Sequence, residues 1–214
     1  MTTSTIPAEL FLLLTNDAGR QDSTQFRKQA LAAAAVVELT LREKVSLDEG
    51  RNPHVEVVDT ASLDIAELDQ ALGALTELDG KRIKSVIGHR WMDLTEVIGV
   101  GWAAAGAIER KDGWFLTSWP TQDSSTEEEL RTRLVAALTD PARRSLQDAI
   151  LLEMLRALKI AHRILKNDIP GVSRRELDRT ITELHVDSPA TAAVRQIIDD
   201  MAAVITATQG TAAS

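Results

Sequence analysis

The chain has 214 residues, of which 44% are hydrophobic and 26% are charged, and its 24 basic and 32 acidic side chains give a net charge of −8. This composition is that of a folded globular protein and excludes a chain that is disordered throughout. The negative total argues against a protein that binds nucleic acid over its whole surface, and the absence of cysteine excludes disulfides, thiolate metal sites and a cysteine nucleophile.

Alanine and leucine dominate the sequence, whereas the only aromatic residues are four tryptophans and three phenylalanines. Alanine and leucine are strong helix formers, and alanine-rich helices must pack closely to bury enough surface. We therefore predict a mainly α protein, a single-domain helical bundle around central apolar helices with one or two short β-hairpins. The domain is expected over residues 7–205, between a flexible N-terminus (1–6) and a flexible C-terminal tail (206–214).

The membrane-related signals are weak. No apolar run approaches the roughly 18 residues that a membrane-spanning helix needs. The first residues are polar and lack the basic and apolar parts of a secretory signal. These patterns predict a cytoplasmic protein.

The first part of the chain alternates apolar helices with one strand pair. An apolar run over residues 7–14 predicts a short buried helix. A second helix, capped by Ser23 and continuing to about Glu43, is apolar nearly all round and is predicted to be the central core helix. Brief β-type runs at Val45–Leu47 and Val55–Val58 predict an antiparallel pair.

The middle of the chain predicts further helices and a hairpin. Ser62 is expected to cap an amphipathic third helix, and shorter helices are predicted over residues 82–87 and 93–106. The Asp112-Gly113 pair between apolar runs then predicts a two-residue hairpin turn.

The C-terminal half carries helix start signals throughout. These are Ser125 with Glu128, Asp140 with Pro141, Ser173 with Glu176, and Ser188 with Pro189. The second of them is predicted to open one long helix that reaches about Lys166.

Catalytic signals are absent from the sequence. The four histidines are scattered without a second metal ligand at helical spacing, and neither a phosphate-binding loop nor a hydrolase elbow occurs. Gly99, Gly101 and Ala104 fit the dinucleotide-binding pattern, but the Asp-Gly turn soon after them leaves no room for the full helix that this pattern requires. We predict no catalytic residues, no metal and no cofactor, and assign these glycines to helix packing.

Basic residues concentrate in one part of this acidic chain. Residues 141–175 contain eight basic and three acidic side chains. Arg156, Lys159, Arg163 and Lys166 fall at helical spacing on one side of the predicted long helix. Such a stripe is most often the solvated face of a buried helix, and the alternative is a patch that faces anionic lipid or an acidic partner.

Four segments in order resemble the Golgi phosphoprotein 3 family and its bacterial relatives. They are E-L-F-L-L-L-T-N-D-A-G-R at Glu9–Arg20, V-V-E-L-T-L-R-E-K-V-S-L at Val36–Leu47, the helix, A-A-A-G-A-I and hairpin of Ala103–Leu116, and S-R-R-E-L-D-R at Ser173–Arg179. The resemblance covers about residues 7–205. It implies a helical bundle with a small β-hairpin and non-enzymatic binding of phosphatidylinositol 4-phosphate, together with recognition of membrane-enzyme tails.

The resemblance also implies where a lipid headgroup would bind. The family's pocket uses a tryptophan and an arginine of the second helix and two arginines before the hairpin. In our alignment these positions are Ser23, Ala32, Met92 and Thr95. Replacement candidates are Lys28, one turn before Ala32, and His89 and Arg90, just before Met92.

The sequence thus predicts a non-enzymatic peripheral membrane or adaptor protein, with an anionic phospholipid headgroup or a protein as partner and a homo-oligomer compatible with either. Its alanine-rich, tyrosine-free composition is typical of a bacterial protein, which would act at the inner face of the membrane. The alternative is a protein-interaction domain or a winged-helix nucleic-acid binder, with Arg110 and Lys111 at the tip of a wing. The helix before that wing contains no basic residue to meet phosphates, so nucleic acid is not the expected partner.

Overall fold

The computed structural model describes residues 4–20, 25–50, 52–114, 117–184 and 189–212. Across these residues the regular structure consists of ten α-helices and two antiparallel pairs of short strands. The predicted mainly α class is therefore confirmed. Ser23 and Ser188, the predicted caps of the second and last helices, lie outside the described residues. The single domain and its flexible ends stay predictions.

The helices and strands follow one another along the chain in the order in which they are numbered. The helices are α1 (Ile6–Leu13), α2 (Arg27–Leu41), α3 (Ala66–Glu77), α4 (Ile83–Ile87), α5 (Thr95–Ala104), α6 (Ser125–Thr139), α7 (Leu146–Ala157), α8 (Ala161–Leu165), α9 (Arg174–Thr182) and α10 (Pro189–Ala212). The strands are β1 (Val45–Leu47), β2 (Val55–Val57), β3 (Lys111–Asp112) and β4 (Thr117–Ser118). Two 3₁₀ turns occupy Arg90–Met92 and Pro141–Arg143. In the predicted β1–β2 pair, Ser46 lies opposite Glu56.

The chain forms two compact units. The first comprises residues 1–8, 26–98 and 188–214, and the second comprises residues 9–25 and 99–187. In the first unit α2 packs against α3, α4 and α10. Its alanines from Ala30 to Ala35 are fully buried, and their small side chains let the neighbouring helices approach closely. The prediction that α2 is a central core helix is confirmed.

A buried carboxylate of α2 fixes where α1 begins. Glu38 accepts a hydrogen bond from the Ile6 amide at 2.6 Å and pairs with Arg42 at 2.7 Å. The Thr5 hydroxyl accepts a further bond from the Ala8 amide at 3.2 Å. These contacts satisfy amides of the first turn that have no partner within the helix.

The predicted cap of α3 is wrong. The helix begins at Ala66, and the carboxylate of Asp69 organises the loop before it, because it accepts bonds from the Ser62 hydroxyl at 2.7 Å and the Leu63 amide at 2.8 Å. Ser62 is therefore a donor to the helix side chain, whereas a capping serine would accept from the helix backbone.

The predicted long helix from Asp140 to Lys166 is also wrong. Lys159 adopts a φ of 62° between α7 and α8. Its amide bonds to the Arg156 carbonyl at 2.8 Å, and the Ile160 amide bonds to the Leu155 carbonyl at 3.0 Å. These two bonds form a Schellman motif, which terminates a helix and usually has glycine at the left-handed position.

Two further start signals have mixed outcomes. The capping box of Ser173 with Glu176 is confirmed at the start of α9. The box of Ser125 with Glu128 is wrong, because Ser124 donates to Glu128 at 2.6 Å and Asp123 accepts from the Ser125 amide at 2.9 Å. The helix begins as predicted, but the acceptor for the Ser125 amide is the side chain of an aspartate and not that of a serine.

The predicted hairpin exists with a different turn. Asp112 lies in β3 opposite Thr117, so the connection is residues 113–116, of which 115 and 116 lie outside the described residues. The Asp112 carboxylate accepts bonds from the Arg110 guanidinium at 3.0 Å and the Thr117 hydroxyl at 3.2 Å. Asp112 is therefore part of the paired strands and not of the turn, so the predicted Asp-Gly turn is wrong.

Candidate functional site

Three of the predicted anion-binding side chains line one cavity in the first unit. Lys28 lies in the first turn of α2, whereas His89 and Arg90 lie between α4 and α5. The cavity has a volume of about 230 Å³. It is lined by Lys28, Gln29, Ile87, Gly88, His89, Arg90, Met92 and Asp93. Groups that are distant in the sequence thus meet at one surface depression.

A local hydrogen bond determines the tautomer of His89, which lines this cavity. The Nδ1 atom of His89 accepts a bond from the Trp91 amide at 3.3 Å and so caps the 3₁₀ turn. Because Nδ1 is the acceptor, the hydrogen of the neutral ring belongs on Nε2, which is then a donor. The rings of His89 and Trp91 meet edge to face with centroids 4.7 Å apart, and Met92 anchors the turn with only 1% of its surface exposed.

The cavity contains an ion pair that sequence reasoning missed. Lys28 Nζ lies 2.6 Å from Asp93 Oδ2. Asp93 also accepts a bond from the Thr95 amide at 3.2 Å, ahead of α5. Partial burial would raise the pKa of Asp93, but hydrogen bonds from Lys28 and Thr95 outweigh burial and lower it, so the carboxylate stays ionised at neutral pH.

A second cationic group neighbours Asp93 from inside the protein. Arg27, the first residue of α2, is 8% exposed. Burial lowers the pKa of its guanidinium, and the charge of Asp93 acts in the opposite direction. The residues that line the cavity therefore include the cations Lys28 and Arg90 and one carboxylate, that of Asp93, which pairs with Lys28.

The sequence model of the Golgi phosphoprotein 3 (GPP34) family matches residues 6–201 of the chain. The chain belongs to this family. A search of curated proteins gives no match. This match confirms the resemblance predicted from the four sequence segments. All the residues that line the cavity lie inside the matched range.

This member of the Golgi phosphoprotein 3 family has no cation at the described positions aligned with the family's pocket. Ala32 is fully buried on α2, Met92 is buried, and Thr95 begins α5. Ser23 lies outside the described residues. The positive charges beside these positions belong to Lys28 and Arg90, as the helical spacing predicts.

The other predicted cationic group is dispersed. Arg156 lies on α7, where it pairs with Glu153 at 2.7 Å, and Lys159 lies at the left-handed break between helices. Arg163 belongs to α8 and Lys166 follows its last residue. Because the long helix does not exist, the predicted single stripe is wrong. Whether these side chains contact an anion stays a prediction.

A larger cavity of about 570 Å³ lies beside α6 in the second unit. Its charged lining residues are Glu128, Glu129, Arg133 and Arg143. The charges balance, and Arg133 is already engaged with Glu9 and Asp148, each at 2.6 Å. This cavity is therefore a less favourable binding site for an anion than the cavity at Lys28.

The packing role predicted for the glycine pattern is confirmed for Gly99 and wrong for Gly101, which is exposed and has nothing within 4 Å of an added Cβ. Gly99 lies inside α5, so no strand precedes the glycine as a dinucleotide site requires. A Cβ atom at Gly99 would lie 2.6 Å from the Trp119 ring. The missing side chain makes room for this indole.

The basic side chains of the hairpin are paired with acidic neighbours, which makes contact with nucleic acid phosphates unfavourable. The Arg110 and Lys111 side chains pair with Asp112 and Glu109 at 3.0 and 3.1 Å. These pairs give no support to the winged-helix alternative. Trp114, which follows β3, is 93% exposed, which suits contact with a membrane interface or a partner.

Within the described ranges, no group of three or more His, Cys, Asp or Glu side chains is arranged to bind a metal ion. Nor does any helix there have the length and apolarity needed to cross a membrane.

Proposed function

We propose that the protein is a non-enzymatic peripheral membrane protein that binds an anionic phospholipid headgroup in the cavity between α2 and the segment before α5. The observation that carries this proposal is the convergence of Lys28, His89 and Arg90 on one cavity. Two of these side chains are cations, and the third presents an Nε2 donor without needing to be protonated.

The size of the cavity supports a compact ligand. Its volume of about 230 Å³ is below the roughly 300 Å³ at which pockets for drug-sized molecules begin. A phosphorylated headgroup presented at a membrane surface needs only its phosphate and part of its ring to enter. Family membership favours phosphatidylinositol 4-phosphate as the first lipid to test.

The surroundings of the cavity support contact with a bilayer. Trp91, which packs against His89, is 45% exposed. Tryptophan is enriched where proteins meet the headgroup region, because its ring is apolar and its N–H is polar. Each cation near a charged membrane contributes about 1 kcal/mol, so two of them give weak, reversible binding. In a bacterial cell this surface would be the inner face of the membrane.

The proposal predicts the effect of removing the two cations. Lys28→Gln together with Arg90→Gln should weaken binding to vesicles containing phosphatidylinositol 4-phosphate at least about 30-fold, since about 2 kcal/mol of attraction is lost. Co-sedimentation with phosphatidylcholine vesicles that contain the lipid measures this change. Parallel vesicles contain equal charge as phosphatidylserine.

The matched control is Arg156→Gln with Arg163→Gln, which removes the same charge from the second unit. This control variant should retain most of the wild-type affinity for the same vesicles. Loss of binding in the control but not in the Lys28 and Arg90 variant would move the site to the dispersed cations. A wild-type protein that binds no anionic vesicle would contradict lipid binding and favour a protein partner. Adaptor activity and self-association stay predictions.

A further inference from the structure

Asp93 is the one acidic side chain among the described residues that line the cavity. Its Oδ2 atom lies 2.6 Å from Lys28 Nζ. An anion that enters the cavity competes with this carboxylate for the same ammonium group. The proposed ligand therefore has to bind in the presence of a negative charge that the protein itself supplies.

The two partners of this ion pair differ in mobility. The Asp93 carboxylate accepts a bond from the Thr95 amide at 3.2 Å, and its own carbonyl accepts one from Gln70 at 3.2 Å. The Lys28 side chain is 65% exposed, and a lysine has a long, flexible stem. On ligand binding Lys28 can turn toward the anion, whereas Asp93 stays at the cavity.

We propose that Asp93 determines the specificity of this cavity by selecting phosphorylated headgroups that carry hydroxyl donors next to the phosphate. The inference rests on the proposed function and adds the chemical class of the ligand. Once Lys28 has turned away, Asp93 Oδ2 has lost its donor and faces an anion. A hydroxyl group of the ligand replaces that donor, whereas a phosphate without hydroxyls leaves Oδ2 without a donor from either the protein or the ligand.

The physical basis is the cost of an unpaired polar group. A half-buried acceptor that loses its hydrogen bond is penalised more than a formed bond is rewarded. Binding sites built to contact a substrate hydroxyl consequently reject analogues that lack it far more strongly than apolar pockets reject extra groups. Asp93 lowers the affinity for any anion, but it lowers the affinity for a hydroxyl-free phosphate most.

The chain supplies a matched control pair for this test. Asp93→Asn removes the charge and retains an oxygen that can accept from the Thr95 amide. Asp59 has the same arrangement elsewhere in the first unit, since it pairs with Lys44 at 2.5 Å and accepts from the Ala61 amide at 2.8 Å. Asp59→Asn therefore makes the same charge change and breaks the same type of ion pair away from the cavity.

The experiment compares two soluble phosphomonoesters of equal charge, inositol 1-phosphate and methyl phosphate, by NMR titration of backbone amides. We expect the wild type to bind inositol 1-phosphate at least about tenfold more tightly. Asp93→Asn should reduce this ratio about tenfold, chiefly by improving methyl phosphate binding. Asp59→Asn should leave it unchanged. Asp93→Ser, which also retains a capping oxygen, replaces the asparagine variant if the latter melts at a lower temperature.

A second arm uses vesicles and separates a membrane ligand from a free one. Phosphatidylinositol 4-phosphate is compared with phosphatidic acid at equal total charge, and the same order of preference is expected. If the wild type binds both phosphates but without preference, or if Asp93→Asn keeps the wild-type ratio, the inference about Asp93 is overturned while the proposed function stands. If no phosphate and no anionic vesicle binds, the proposed function itself fails, and the inference with it.

Discussion

Gly99 shows how much one missing side chain can determine. Trp119 is 1% exposed, and its ring packs edge to face on Phe11 with centroids 6.3 Å apart. The ring occupies the space where a Cβ of residue 99 would be, at 2.6 Å. The buried indole therefore has little room to move away from an added side chain.

We predict that Gly99→Ala destabilises the protein by about 1 to 3 kcal/mol, which is the usual cost of forcing an extra carbon into a packed core. Urea unfolding followed by tryptophan fluorescence measures the change. Gly101→Ala on the same helix is the control, because Gly101 is exposed and has nothing within 4 Å of its added Cβ. The control should gain up to about 1 kcal/mol from helix propensity. Equal destabilisation by both variants would contradict the packing role.

Among the secondary structure elements, those with dense apolar patterns could be predicted from the sequence, and those with unusual ends could not. The alanine-rich pattern gives α2, and the β-type runs give the β1–β2 pair. The end of α7 was missed because Lys159 occupies a left-handed position that normally signals itself by glycine. Residues 141–166 therefore looked like one helix, and four cations looked like one stripe.

The candidate site was predictable in part for a related reason. Sequence spacing alone places Lys28 one helical turn from Ala32 and Arg90 two residues before Met92. Asp93 was missed because its partner Lys28 lies 2.6 Å away in space but on another element. No local pattern in a single sequence reports such a pairing.

One network in the second unit joins α6, α7 and Glu9 of α1 through a single guanidinium. Arg133 on α6 binds Glu9 of α1 through two nitrogens at 3.0 and 2.6 Å, and Asp148 of α7 at 2.6 Å. Gln147 donates to Glu9 at 2.7 Å. Burial would lower the pKa of Arg133, but hydrogen bonds and the charges of both carboxylates raise it. Arg133 therefore stays protonated in any usable buffer.

Arg133→Met should lower the free energy of unfolding by roughly 3 kcal/mol, because it leaves two buried carboxylates without their cation. This is the low end for a broken buried pair, since Arg133 is partly exposed and water can replace some of its bonds. Arg143→Met is the control, because that side chain is 73% exposed and pairs with Asp140 at 3.4 Å. A loss below about 1 kcal/mol is expected for it. Chemical unfolding at neutral pH compares the two, and equal losses would contradict the network.

At the scale of the whole molecule, the charge of −8 opposes approach to an anionic membrane. Any electrostatic attraction must come from local cations such as Lys28 and Arg90. Local attractions between exposed charges act over short distances and are screened by salt.

Binding to anionic vesicles should accordingly fall steeply between about 0.1 M and 1 M salt, as the Debye length shrinks from about 10 Å to about 3 Å. Co-sedimentation over this range measures the effect, with neutral phosphatidylcholine vesicles as the control. Binding that does not change with salt concentration, or that is equally strong on neutral lipid, would show that apolar insertion and not charge attraction holds the protein on the membrane.

The packing of α10 against α2 and α4 has a consequence during protein synthesis. The ribosome completes α2 at Leu41 and reaches Pro189, where α10 begins, roughly 150 residues later. At about 5 to 20 residues per second this interval lasts roughly 7 to 30 seconds. Throughout it, the face of α2 that packs against α10 has no partner, because α10 has not yet been translated. Because α3 and α4 are translated soon after α2, they can cover their own faces of it during that interval, whereas the face that α10 covers stays open until α10 is made.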